Sequence, residues 1–409
     1  MKARNRASCR PHHDIAIVDE GGKVVARTRI GNDARGFAEL LTMLAEAGDT
    51  PAEPIPVAIE TDHGLLLAAL RATNRPIYPI NPLSASRYRS RHQVSGAKSD
   101  AMDAVMLADI LRTDIAAHRP MPADTELAQA IRVLARAQQD AVWSRQQVGN
   151  QVRSLLEDFY PAALDAFAGL RPGGLARAEA RGVLTAAPTP AAAAGLTRAK
   201  LRKLLVKAGR QRNIDTDVDR LLAVFATTQL RQLPMVENAM GIQLTTLLGQ
   251  FDAACRAVDE LAEAATAHFD RHPDAKIITS FPGLGQLTGA RVLAEIGDDP
   301  DRFTDPRGLK AYAGSAPVTR ASGKKTVVLH RHIKNKRLAA VGPIWTLASL
   351  TASPGARRHF DARRAAGDWN RQAQRHLFNK FLGQLHHCLR TRNLYDEHRA
   401  FQPPIALAA

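Results

Sequence analysis

The chain has 409 residues, 45% of them apolar, and 56 Lys and Arg against 40 Asp and Glu leave a formal charge of +16. That length accommodates two or three domains with real cores, and the positive excess points to a polyanionic partner, of which nucleic acid is the commonest. Cys9, Cys255 and Cys388 are scattered, which argues against a disulfide framework or a zinc cluster. No apolar run is long enough to span a bilayer, and the basic start lacks the apolar core of a signal peptide, so a reducing cytoplasm is the expected setting.

From residue 1 to 120 strands alternate with helices, the pattern of an α/β domain. "DIAIVD" and "KVVARTRI" flank "EGG" in the manner of a hairpin, "FAELLTMLAEAG" has helical periodicity, and "IPVAIET" and "PIYPI" read as short buried strands. Residues 121–275 are almost wholly helical, with apolar residues at three and four spacing on either side of an Ala/Pro/Gly-rich segment, as in a coiled coil. The stretch "TRAKLRKLLVKAGRQR" carries seven basic residues and no acid, which suits either a solvated helix face or a face that tracks phosphates. Residues 276–409 are again mainly helical. There "SFPGLGQLTGARVLAEIG" breaks one helix at Pro282, Gly283 and Gly285 and starts another, whose first N–H groups are free to meet a phosphate oxygen. That pattern fits a helix-hairpin-helix clamp on the DNA backbone, and equally a plain packing turn.

Asp100 and Asp103 stand at the head of a helical run, three residues apart, and therefore share a helix face. Acids in a first turn are favoured by the helix dipole alone. Glu60 follows the apolar "VAI", where a carboxylate needs a partner or a metal. A strand-borne Glu with a later helix-borne Asp pair can hold a hard cation such as Mg²⁺ through oxygen ligands. Taken singly, each acid has a structural reading that is the better choice.

The segments "HHDIAIVDEGGKVVARTRIGND", "VAIET", "YPINP", "GAKSDAMDAVMLADILRTD", "SFPGLGQLTGARVLAEIGD", "RFTDPRGLKAYAGSAPVTRASGKK" and "HRHIKNKRL" together resemble the insertion-sequence 110 type transposases, in order and from near the N-terminus to about residue 350. The resemblance implies an RNase H-fold, RuvC-like first domain with a DEDD carboxylate set, a helical coiled coil, and a C-terminal domain with a nucleophilic serine. Carried over position by position, the second to fourth acids are Glu60, Asp100 and Asp103, and the serine is Ser322. It further implies Mg²⁺, DNA as substrate, a structured non-coding RNA as guide, a homo-oligomer of two or four chains, and one composite site assembled from carboxylates and serine.

The sequence departs from the pattern at the first acid, which falls on Ala7 in "ARNRASC", where the apolar first strand is also missing. A sheet without that strand leaves its neighbour with unpaired backbone groups. An altered start of the reading frame, a decayed copy, and replacement by Asp14 or Asp19 compete to explain it. Replacement ranks last, because Asp19 precedes the "EGG" turn, where Asp is common for turn reasons alone.

A serine hydroxyl is a weak nucleophile that needs a base or a metal, and positive charge beside the phosphate oxygens. Arg320, Lys324 and Lys325 surround Ser322, and Gly323 allows close backbone approach. Without the resemblance, a Ser-Gly turn in a basic loop is preferred. The basic cluster from Arg87 to Lys98 suits an RNA backbone. His330 and His332, two apart, suit a strand face, while Trp345, Trp369 and the nearby Phe residues are expected in the core. The activity expected is that of a site-specific DNA recombinase. A metal-dependent junction nuclease using the acids but not Ser322, and a non-catalytic nucleic-acid binder, are the alternatives.

Overall fold

In the computed structural model, which describes residues 12–61, 63–92, 99–169, 173–323 and 325–401, the chain divides into two units, Met1–Ala123 and Asp124–Ala409. Ala7, Lys98 and Lys324 lie outside the described residues. The architecture is mixed α/β and mostly helical.

The first unit opens with the expected hairpin. β1 (His12–Val18) pairs antiparallel with β2 (Val24–Gly31), Ile17 opposite Ala26. Asp19 closes the turn, its carboxylate accepting from the Lys23 amide at 2.8 Å and its own N–H donating to the Lys23 carbonyl at 2.9 Å. α1 (Ala34–Glu46) starts at Asp33, which accepts from the Gly36 amide, and sinks Leu40 and Leu44. β3 (Val57–Ile59), α2 (Leu65–Arg71) and β4 (Ile77–Pro79) form a parallel strand pair with its crossover helix. α3 (Pro82–His92) then packs on α4 (Asp100–Asp114) through Ala85, Met106 and Ile110, and the Tyr88 hydroxyl donates to Asp109 at 2.6 Å.

Among the described residues the two strand pairs do not join into one sheet. The free edges of β1 and β3 open on the same cavity, about 600 Å³ in volume, with Leu40, Leu44, Leu107 and Leu111 in its walls, and α4 packs against both strands. Among the described residues, β1 and β3 each pair on one side only, and together they border this cavity.

In the second unit, α5 (Glu126–Phe159) is followed by α6 (Pro161–Ala168), α7 (Ala178–Ala186), α8 (Pro190–Ala194), α9 (Arg198–Lys207), α10 (Ile214–Phe225) and α11 (Pro234–Asp270). α5 and α11 run antiparallel. Ile131 shares a core with Phe269 near one end, and Val152 and Leu155 share another with Leu244 and Leu248 near the other. Gly149 eases their approach, because a Cβ there would sit 3.2 Å from the Phe251 ring.

Next come α12 (Ala275–Thr279), α13 (Gln286–Ile296), α14 (Pro306–Tyr312), the hairpin β5 (Val318–Ser322) and β6 (Lys325–Leu329), and α15 (Lys336–Ala352). The chain continues through α16 (Pro354–Ala365), α17 (Asn370–Thr391) and α18 (Glu397–Ala400). Trp345 lies in the core as expected, its ring stacked on Phe381 at 5.1 Å. Trp369 does not: it caps α17 with 80% of its surface exposed, because it stands one residue before the helix whose apolar stripe starts at Ala373. His330 and His332 also differ from expectation. The strand ends at Leu329, and the two rings meet edge to face at 5.3 Å beyond it.

Candidate functional site

Asp100 occupies the first turn of α4, after Ser99, whose hydroxyl accepts from the Met102 amide. Asp103 lies one turn on, on the same side. His12 and Asp14 alternate along β1 and so project to one face of the strand. The packing of α4 on β1 brings these elements together: one ligand atom from each of His12, Asp14 and Asp100 lies within 4.8 Å of the other two. Glu60 follows β3 directly, exposed, and lines the same cavity as these residues and Asp103. Replacement of the first acid was the explanation ranked last, yet of its two candidates Asp14 is the carboxylate that the fold places beside Asp100. Asp19 is engaged in its turn.

The charges are compensated by arginines. Arg29 of β2 donates to both oxygens of Asp14, at 3.0 and 3.1 Å. Those hydrogen bonds and the Asp14 charge raise the Arg29 pKa, and Asp100 adds to the effect. Arg89 of α3 takes Asp103. Two carboxylates and an imidazole within 4.8 Å offer hard oxygen donors and one nitrogen, a set that fits a divalent cation.

Ser322 ends β5 at the tip of an exposed hairpin. It pairs with Lys325 across a two-residue loop in which Gly323 takes φ +56°, a left-handed conformation that glycine adopts without strain. Arg320, in register with Val327, is exposed as well, and Lys324 falls outside the described residues. The Ser322 side chain is exposed. At the far end of the hairpin, burial and then the charge of Lys334 hold the His330 imidazole below its usual pKa, and it meets the Lys334 ammonium at 2.8 Å.

The helix that follows the hairpin is anchored by a residue outside the predicted site set. Asn335, N-cap of α15, donates to Glu295 at 2.6 Å and to the Tyr312 hydroxyl at 2.7 Å, while its side-chain oxygen accepts from the Leu338 amide. The signal for it was an Asn ahead of the helical "KRLAAV".

The two loop glycines between α12 and α13 part company. Gly283 has φ +82°, and a Cβ there would come within 2.6 Å of the Ser349 backbone N and 2.8 Å of the Trp345 carbonyl, so it serves the approach of this loop to α15. The Trp345 indole N–H donates to the Pro282 carbonyl at 3.1 Å in the same contact. Gly285 is the open one: it starts α13, nothing stands within 4 Å of its Cβ position, and no side chain caps the first-turn amides.

An acid-lined cleft in an α/β unit, carried in one chain with a helical unit that presents basic residues and an exposed serine on a hairpin, defines a DNA-processing protein of the transposase class. The chain belongs to the IS116/IS110/IS902 family of transposases. Residues 10–161 match the family profile of the IS110-type DEDD transposases, and residues 275–363 match the one described as transposase IS116/IS110/IS902 family. A Streptomyces coelicolor protein named "Mini-circle putative transposase for IS117" is 60% identical over 97% of this chain and 96% of its own length. The insertion element IS116 protein of Streptomyces clavuligerus and the IS900 protein of Mycobacterium paratuberculosis, both described as uncharacterized, are each 28% identical over 97% of this chain and 96% of their own. No helix among the described residues is long and apolar enough to cross a membrane.

Proposed function

We propose that this protein is a DNA strand-exchange enzyme in which Asp100, Asp14 and His12 hold Mg²⁺, with Glu60 and Asp103 beside them, and Ser322 attacks a DNA phosphodiester. The convergence of His12 and Asp14 on Asp100 carries the proposal, since it supplies a carboxylate where the first acid of the family's set is missing. The first unit then functions as an RNase H-like domain in spite of Ala7. A bound Mg²⁺ supplies positive charge next to the phosphate oxygens.

The remaining chemistry falls to the chain itself. The Ser322 hydroxyl gives up its proton as its oxygen joins phosphorus, a strand end leaves as a free hydroxyl, and bond energy is conserved in a phosphoserine link. Arg320, Lys324 and Lys325 neutralise the flanking phosphates, and the open amides after Gly285 take one more phosphate oxygen. A structured RNA directs the enzyme to its site, with the basic α3 as part of its binding face, and the enzyme acts as a homo-oligomer.

Ser322→Ala tests this. On DNA from the flanks of its own gene, with Mg²⁺, the variant should bind as wild type does, with the same salt dependence, yet form no covalent protein–DNA adduct. Cleavage by the Ala variant at the wild-type rate would instead assign a metal-dependent nuclease that needs no serine.

A further inference from the structure

A second cleft, about 430 Å³ in volume, lies in the helical unit between α5 and the turn that precedes α7. Its α5 wall is a single stripe: Arg145, Gln146, Gly149, Asn150 and Arg153 recur at three and four spacing and therefore share one helix face. Here, among the described residues, neither Arg145 nor Arg153 has an acidic partner, although most arginines of this unit do. The facing wall includes Gly173 and Gly174, at φ +117° and +50°, which present backbone and no side chain to the cleft.

We infer that this cleft binds the backbone of an unpaired RNA segment, with Arg145 and Arg153 on alternate phosphates and Gln146 and Asn150 on the sugars between them. Eight residues of helix separate the two guanidinium-bearing positions by about 12 Å, enough to span alternate phosphates of one strand. A concave site suits a splayed single strand better than the convex backbone of a duplex. The two amides offer both a donor and an acceptor, as a ribose 2′-hydroxyl requires and a deoxyribose does not. The inference rests on the proposal of an RNA partner and gives it a place, but it involves neither Ser322 nor the acids.

The test is fluorescence anisotropy on the full chain, with a labelled single-stranded RNA of twelve mixed nucleotides, the DNA of the same sequence, and the corresponding DNA duplex. Arg145→Gln with Arg153→Gln should weaken RNA binding about tenfold and reduce the slope of log affinity against log salt by about 1.4, the contribution of two phosphates on a single strand. Arg145→Lys with Arg153→Lys should retain most of the affinity. Arg27→Gln with Arg35→Gln, which removes the same charge from the first unit, should cost less than twofold. Gln146→Leu with Asn150→Leu should abolish the preference for RNA over DNA.

Equal losses in the two double-glutamine variants would overturn the site, reducing it to net charge. An unchanged RNA-to-DNA ratio in the leucine variant would overturn the assignment to ribose. Wild-type protein that binds no RNA at all would remove the RNA partner itself, a failure distinct from that of the cleft.

Discussion

Gly283 and Gly285 look alike in the sequence and differ in what they tolerate. Alanine at 283 must adopt φ +82°, which costs a non-glycine residue about 1–2 kcal/mol. Its Cβ would also stand 2.6 Å and 2.8 Å from backbone atoms of α15, which cannot rotate away as a side chain would. Overpacking of that kind adds about 1–3 kcal/mol, so Gly283→Ala should lose about 2–5 kcal/mol. Alanine at 285 meets nothing within 4 Å at an ordinary φ of −83°, and should lose less than about 1 kcal/mol as a poorer N-cap.

Urea unfolding followed by tryptophan fluorescence measures both, since buried Trp345 reports on the contact. Gln286→Pro, compared with Gln286→Ala, which loses the same side-chain bond to Asp270, then isolates the proposed phosphate contact. Proline suits the first helical position and the extended Gly285 before it, but removes one backbone N–H. It should preserve stability and weaken DNA binding. A Gly283→Ala protein as stable as wild type would refute the packing role, and undiminished DNA affinity in Gln286→Pro would remove the clamp.

At the acid cluster, Asp14→Asn should lose Mn²⁺ binding by calorimetry, whereas Arg29→Gln, which removes the competing cation, should tighten it severalfold; the opposite order would show that Arg29 merely neutralises a surface pair. Fusing a short apolar strand that ends in aspartate ahead of His12 should fill the gap between β1 and β3 and raise the melting temperature, each buried Val or Ile adding about 1.5–3 kcal/mol. No rise would show that the gap does not accept a strand. Asn335→Ala should cost about 2 kcal/mol in thermal denaturation through loss of the α15 cap and of a donor to buried Glu295. Burial chiefly, with cations around them, holds the imidazoles of His359 and His376 below their usual pKa. The unfolded chain therefore binds more protons from the ordinary histidine value of about 6.5 down to the depressed native values, so stability is complete above that window and falls as the pH drops through it. His359→Phe should flatten the fall, and an unchanged pH profile would contradict it.

The order of elements could be read from the chain because its signals are local. Alternation in "DIAIV", three-four spacing through α5 and α11, and side chains such as Asp33 and Ser99 that cap their own helices each act within a few residues. The same locality placed Asp100 and Asp103 on one helix face, and Ser322 beside Gly323 in a basic turn. Partnerships between distant segments were not legible. That Asp14 meets Asp100, that Arg89 takes Asp103, and that Asn335 ties the start of α15 to Glu295 depend on how strands and helices pack, and no period in the sequence records a partner on another element. Packing also gave "PGLG" two different glycines and put Trp369 in solvent, since whether a side chain is buried depends on the surface that arrives opposite it.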